Sequence, residues 1–216
     1  MKIAVIGCGA IGGLFLGYLT EQGCDVRGVV RQYQKETLTS DGLFIEGVRG
    51  EKKLSVNVDT RLKEQVDLAI FATKIDNLKV SIQANGRFFQ EACILTTQNG
   101  IKSDYIVREY FPDHIVTGIV MFGATYYPPN RIVQNFDGDL ILGSMFGENI
   151  EDEGKVLQTL QYTFNVVMTE NIRGAKYLKL FVNLNNCFSG LLGISMQEAF
   201  SDLEIAALAF ELNREA

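Results

Sequence analysis

Histidine is almost missing from this chain: His114 is the only one in 216 residues. Catalysis by an imidazole base therefore has one candidate, and His114, between a Phe-Pro-Asp turn and a strand-like run, reads as a surface residue. Cysteine is scarce as well. Cys8, Cys24, Cys93 and Cys187 lie far apart, without the close spacing of a zinc site or a disulfide framework. Each reads as a small core residue in a reducing compartment, so a cytoplasmic location is expected and no metal site is. Basic charge is in deficit, the net charge being −6. A nucleic-acid partner, which needs a basic face, is excluded on that ground, and any anionic ligand must be held by a few local cations. A membrane span is also lacking. The uncharged run 3–19 carries five glycines and falls short of the roughly 20 apolar residues that a crossing needs. No small-residue cleavage site follows it, so no secretory leader is expected.

What the chain does have is concentrated at its start. Lys2-Ile-Ala-Val-Ile runs into Gly7-Cys-Gly9-Ala10-Ile11-Gly12-Gly13 and then an apolar segment, the order of a buried strand, a tight turn and a helix. Gly7 permits the turn, Gly9 lets the backbone approach a pyrophosphate, and Gly12 lets the helix pack close to the strand. The free N–H groups of the first helical turn, at Ala10, Ile11 and Gly12, then face the phosphates. Residues 25–30 read as a second buried strand ending at Arg31. An acidic residue there would suit the ribose of NAD, whereas the planar fork of an arginine suits the 2′-phosphate of NADP.

Further along, a hairpin-like excursion at 43–48 and 54–58 interrupts the parallel pattern. Buried strands at 67–73 and 92–97 then deliver Lys74 and Gln98-Asn99-Gly100 to one sheet edge. Lys74 either closes its strand with a charge or reaches a ligand, and Asn99 either makes a turn or touches one. Asp76 is expected to cap the next helix. Helices are expected at 101–110 and 151–163, and strands at 115–125, 132–134, 139–142 and 166–169. The Phe122, Tyr126 and Tyr127 cluster reads as core and turn packing. The fold class is thus α/β, a Rossmann-type doubly wound sheet over residues 1–170 followed by the start of an all-α second domain over 171–216. Within the latter, residues 180–197 carry no charge and read as a buried helix. Lys179 and Asn183 share a face with Asn186 near it. A buried lysine of lowered pKa could protonate a carbonyl oxygen as hydride reaches its carbon.

The glycine turn, Arg31, Lys74, Gln98-Asn99-Gly100, the Gly118-Ile-Val-Met-Phe-Gly-Ala-Thr125 run and Lys179-Leu-Phe-Val-Asn183, in that order, resemble the 2-dehydropantoate 2-reductase (ketopantoate reductase) family. The resemblance implies a Rossmann domain and an all-helical domain with NADPH and a small 2-oxo acid in the cleft between them. It implies that Gly7, Gly9 and Gly12 bind the pyrophosphate, Arg31 takes the 2′-phosphate, and Lys74 and Asn99 meet the nicotinamide end. Lys179 would be the general acid and Asn183 would orient the substrate, ketopantoate, on its way to pantoate. Three departures stand against this: Cys187 replaces a second asparagine, whose neighbour Asn186 is turned by about 100°; Phe188-Ser-Gly-Leu-Leu-Gly193 replaces a Thr-Ala pair; and the family's helical domain continues past the position of Ala216 with part of the substrate pocket. Two other readings follow, reduction of a different 2-oxo acid and a non-catalytic NADP-binding module. The apolar surface that further helices would cover implies self-association, a homodimer being one form of it.

Overall fold

The computed structural model describes residues 1–147 and 149–215. It divides into two units, Met1–Ile172 and Arg173–Ala216.

The first unit is built on β1 (Lys2–Ile6), α1 (Ala10–Glu21), β2 (Asp25–Val29), α2 (Gln32–Ser40), β3 (Leu43–Gly47), β4 (Lys52–Leu54), β5 (Val58–Asp59) and β6 (Leu68–Phe71). It continues through α3 (Leu78–Asn85), β7 (Cys93–Thr96), α4 (Lys102–Arg108), β8 (Ile115–Val120), β9 (Gly123–Tyr127), β10 (Arg131–Phe136), β11 (Leu140–Gly143), α5 (Ile150–Leu160) and β12 (Val166–Met168). Eight strands form the main sheet in the order β12-β11-β8-β7-β6-β1-β2-β5. The six from β5 to β8 are all parallel, and their order is the 3-2-1-4-5-6 of a Rossmann sheet. Only the β8–β11 pairing is antiparallel in this sheet among the described residues.

Strands covered on both faces read as unbroken apolar runs, which is why β6, β7 and β8 are buried at every position. Alternate residues serve two cores. Val5, Ile70 and Leu95 pack with Leu14, Leu16, Val156 and Leu160 of α1 and α5. Ile6, Phe71 and Ile94 pack with Leu78, Ile82, Ile106 and Val107 of α3 and α4.

A second sheet, β4-β3-β10-β9, covers the outer side of α1. The hairpin-like excursion forms here as antiparallel β3 and β4, and β10 joins β3 in parallel. The run 115–125 is therefore two strands in two sheets rather than one. The chain turns at Met121 and Phe122, where the buried Phe122 ring stacks on Phe164 at 5.2 Å and 13°. Helix α1 accepts strands on this side because its glycines leave no bulk: a Cβ on Gly13 would lie 2.1 Å from Ile132 Cδ1, and one on Gly17 2.3 Å from Ile45 Cδ1.

The second unit comprises the rest of α6 (Ile172–Asn183), then α7 (Cys187–Leu192), α8 (Met196–Ser201) and α9 (Leu203–Glu215). Its small core is Phe188, Ala199 and Ala209, with Ile205 and Leu212 against it. The uncharged stretch 180–197 is not one buried helix. A 3-10 turn at Leu184–Asn186 tightens the chain, and Gly193 ends α7 in a left-handed conformation at φ +68°. Leu180, Phe181, Val182, Leu191 and Leu192 are all exposed, and so is Cys187, which the sequence placed in a core.

Candidate functional site

A cleft of about 420 Å³ opens at the C-terminal ends of β1, β2 and β6, inside the first unit. Ligands of open α/β sheets bind at such a place, where the strand order reverses. Gly7 and Gly9 line it, with Arg31, Lys74, Thr60 and Thr73 around them.

Local chemistry explains the shape. Gly7 turns the chain at φ +91°, a value strained for a side-chain-bearing residue, and a Cβ there would stand 2.6 Å from Thr73 Cγ2. Gly12 lies behind the turn, where a Cβ would be 1.9 Å from the Gly7 carbonyl oxygen. A Cβ on Gly9 would meet no heavy atom within 4 Å, so the backbone there is bare toward the cleft. Ala10, Ile11 and Gly12 do not line the cleft; they open α1 behind it.

Arg31 sits at the N-cap of α2, as its place one residue beyond Val30 requires. Lys74 precedes a 3-10 turn, Ile75–Asn77, and Asp76 lies inside that turn rather than capping a helix. The cap position of α3 belongs to Asn77, whose side chain makes no capping bond. Gln98 donates from Nε2 to the carbonyls of Phe71 and Thr73, both at 3.1 Å. These bonds tie the loop after β7 to the loop carrying Lys74. Asn99, one residue on, is exposed and does not line the cleft. The buried Asp104 anchors the start of α4 beneath this loop, accepting from Thr96 Oγ1 at 2.5 Å and Thr117 Oγ1 at 2.8 Å.

Several residues of the cleft escaped the sequence reading, Thr73, Tyr126 and Gln34 among them. Tyr126, assigned to packing, lines the cleft and donates to the Pro129 carbonyl at 2.6 Å; burial raises its pKa. Gln34, buried within α2, also lines it. No local pattern marks a glutamine in a polar helix as a site residue. Beside the cleft, Asp59 ends β5 with its carboxylate held well below the ordinary carboxylate range by Lys63 and Lys35, and then by the Thr60 N–H.

A dinucleotide fits this lining on one direct observation. The Thr73 side-chain oxygen is buried at the cleft wall beside Gly7 and has no hydrogen-bond partner among the described residues. A buried hydroxyl normally has a partner, and a phosphate or ribose oxygen would supply one.

The remaining expected residues lie in the second unit. Lys179, on α6, is half-buried, and burial first and the charge of Lys176 second hold its pKa below the ordinary lysine value. Asn183 ends α6, and its side-chain oxygen accepts from Asn186 Nδ2 at 3.2 Å. His114 is half-exposed, and its Nδ1 is 3.0 Å from Asp152 Oδ2, outside the cleft. No described helix is long and apolar enough to cross a membrane.

Comparison with known proteins gives a consistent result. The family model described as ketopantoate reductase PanE/ApbA matches residues 3–147. A 2-dehydropantoate 2-reductase of Pyrococcus abyssi is 29% identical over 189 residues, covering 85% of this chain and 61% of the relative. The chain thus spans about three fifths of the length of that relative. Among solved structures, a PanE/ApbA family ketopantoate reductase from Ralstonia eutropha superposes with a TM-score of 0.87 at 20% identity, over 100% of this chain and 72% of that one. A D-mandelate dehydrogenase bound to NADH and anilino(oxo)acetate gives 0.88 at 24% identity, over 97% and 70%.

Proposed function

The chain belongs to the ketopantoate reductase PanE/ApbA family, and from that premise we propose that it serves the NADPH-dependent reduction of 2-dehydropantoate to pantoate. The observation that carries the coenzyme half is the cleft itself, where the glycine turn and Arg31 line one cavity. The turn offers bare backbone at Gly9 to a pyrophosphate at the head of α1. Arg31, at the adenosine end, presents a bidentate donor to a 2′-phosphate, which NADH lacks. Lys74, which lines the cleft, would meet the nicotinamide end, and Asn99, exposed on the neighbouring loop, would reach it only from outside this cavity. The bound coenzyme supplies a hydride to the ketone carbon. Lys179 gives the proton that the ketone oxygen needs, and Asn183 orients the substrate. Burial and the nearby Lys176 charge lower the pKa of Lys179, and a lysine of lowered pKa parts with its proton more readily.

A second reading, the same chemistry on another 2-oxo acid, is favoured by the exposed Cys187 where the family pattern has an amide and by the likeness to a mandelate dehydrogenase fold. The test is a titration of this chain with NADPH and with NADH, read by nicotinamide fluorescence, followed by NADPH oxidation with a panel of 2-oxo acids. Tighter NADPH binding and fastest turnover of ketopantoate are expected. Binding of neither coenzyme overturns the proposal. A faster acid of another kind selects the second reading, and coenzyme binding without turnover leaves an NADP-binding module.

A further inference from the structure

Gln34 makes three hydrogen bonds in the cleft and is not used by the mechanism above. Its amide joins two remote elements, the glycine turn and β9, to the N-cap of its own helix α2. Nε2 donates to the carbonyl of Cys8 in the glycine turn at 3.1 Å and to the Tyr126 hydroxyl of β9 at 2.7 Å. Oε1 accepts the backbone N–H of Arg31 at 3.2 Å. The orientation of the amide is fixed by its partners, since the Cys8 carbonyl can only accept and the Arg31 N–H can only donate. Tyr126 passes the chain on by donating to Pro129.

The geometry points to Gln34 as the positioning residue that couples the pyrophosphate turn to the 2′-phosphate site, and so helps to set coenzyme preference. By holding the Cys8 carbonyl, it orients the peptide between Cys8 and Gly9 and turns the Gly9 backbone to the cleft. By accepting from Arg31, it fixes the residue that reads the 2′-phosphate. One buried side chain therefore sets the separation between two anion-binding points on different loops. This rests on the NADPH reading above, and the experiment keeps the two apart.

Two variants test it, each measured for NADPH and NADH affinity by fluorescence titration alongside thermal unfolding. Gln34→Met fills the space without hydrogen bonds. NADPH affinity should fall roughly tenfold or more, the loss of a buried bond to a working group, and NADH affinity should fall less, so that the ratio of the two drops. Gln34→Glu keeps the shape and the acceptor toward Arg31, but an ionised carboxylate cannot donate to Cys8. The groups facing this position are Cys8 from the turn, its thiol pushed up to about 12 by burial, Tyr126 from β9, and Arg31 and Tyr33 on α2. NADPH affinity of this variant should recover between about pH 8 and about pH 5.5 relative to the wild type measured at both, as the buried carboxyl takes up a proton and donates again. An unchanged NADPH-to-NADH ratio in the first variant, or a pH profile in the second that parallels the wild type, overturns the inference while leaving the coenzyme site standing. Wild-type protein that binds neither coenzyme overturns the reading beneath it.

Discussion

Two alanine substitutions in the glycine turn, Gly9→Ala and Gly12→Ala, should separate coenzyme binding from stability. At Gly12 an added Cβ would meet the Gly7 carbonyl oxygen at 1.9 Å and Ala72 Cβ at 3.0 Å. The first contact is with backbone, which cannot swing aside as a long side chain can. Either α1 lifts from the turn or the turn opens, and overpacking of this kind costs roughly 1–3 kcal/mol or more. For a unit of this size each kcal/mol moves the melting temperature by roughly 2–4 °C, so a fall of about 6–12 °C is expected at the upper end. At Gly9 the same methyl meets no atom within 4 Å, and φ −82° is outside the left-handed region, with ψ −149° at the fringe of the extended range. Its melting temperature should fall less than that of Gly12→Ala, the cost being that of the backbone alone, about 1 kcal/mol. Yet the methyl stands where a pyrophosphate must approach, so NADPH binding should be lost. The assay is thermal unfolding by circular dichroism with NADPH titration of both variants. A Gly12→Ala protein that melts with the wild type, or a Gly9→Ala protein that binds NADPH normally, would refute the division of labour between these glycines.

Other outcomes follow from the cleft and its surroundings. Arg31→Ala should weaken NADPH by roughly 10- to 150-fold, the worth of hydrogen bonds to a charged group, and leave NADH nearly unchanged in the same fluorescence titration. Removing the neighbouring charge in Lys176→Met should raise the pKa of Lys179, which that charge helps to hold down. A general acid works only when protonated, so the alkaline limb of NADPH oxidation should move to higher pH; a limb that stays in place would remove Lys179 from the proton step. Asp59, whose pKa is lowered by Lys63, Lys35 and the Thr60 N–H, stabilises the fold while ionised. The stability gap between wild type and Asp59→Asn should be constant from about pH 7 to about pH 5 and shrink progressively as the pH falls below about 4, the unfolded carboxylate value. Urea unfolding across that range reads it, and a gap still at its full neutral-pH size at about pH 2.5 would contradict the assignment.

The parts of this protein legible in its sequence are those whose signals are local. The β1 run, the glycine turn and α1 announce themselves because apolar continuity, φ above zero and close approach each restrict residue type at a fixed position. Arg31 and Lys74 could be placed because a buried strand ends where its apolar run does. The small sheet was visible only in fragments, since β3 and β10 pair across some eighty intervening residues and nothing local records that register. Gln34 was silent for a similar reason: beyond the local bond to Arg31, its partners at residues 8 and 126 are remote in the chain, and only the fold brings them to it. The uncharged run 180–197 misled in the opposite direction. Absence of charge suggested burial, but Gly193 and the 3-10 turn break the helix, and many of its apolar side chains are exposed.

The glycines at 13 and 17 carry a further consequence. Because strands pack on both of its sides, α1 is a central pillar rather than an outer layer, with every residue from Gly12 to Leu19 buried. A helix so enclosed has no solvent face along which to fray. Its amides can exchange with water only when both sheets part from it, an event close to unfolding of the whole unit. The glycine turn at its head is therefore held in one form before any ligand arrives, and the proposed coenzyme binding would spend little on ordering it. In this protein the rigidity of the proposed coenzyme site is set by two residues that face the small sheet instead.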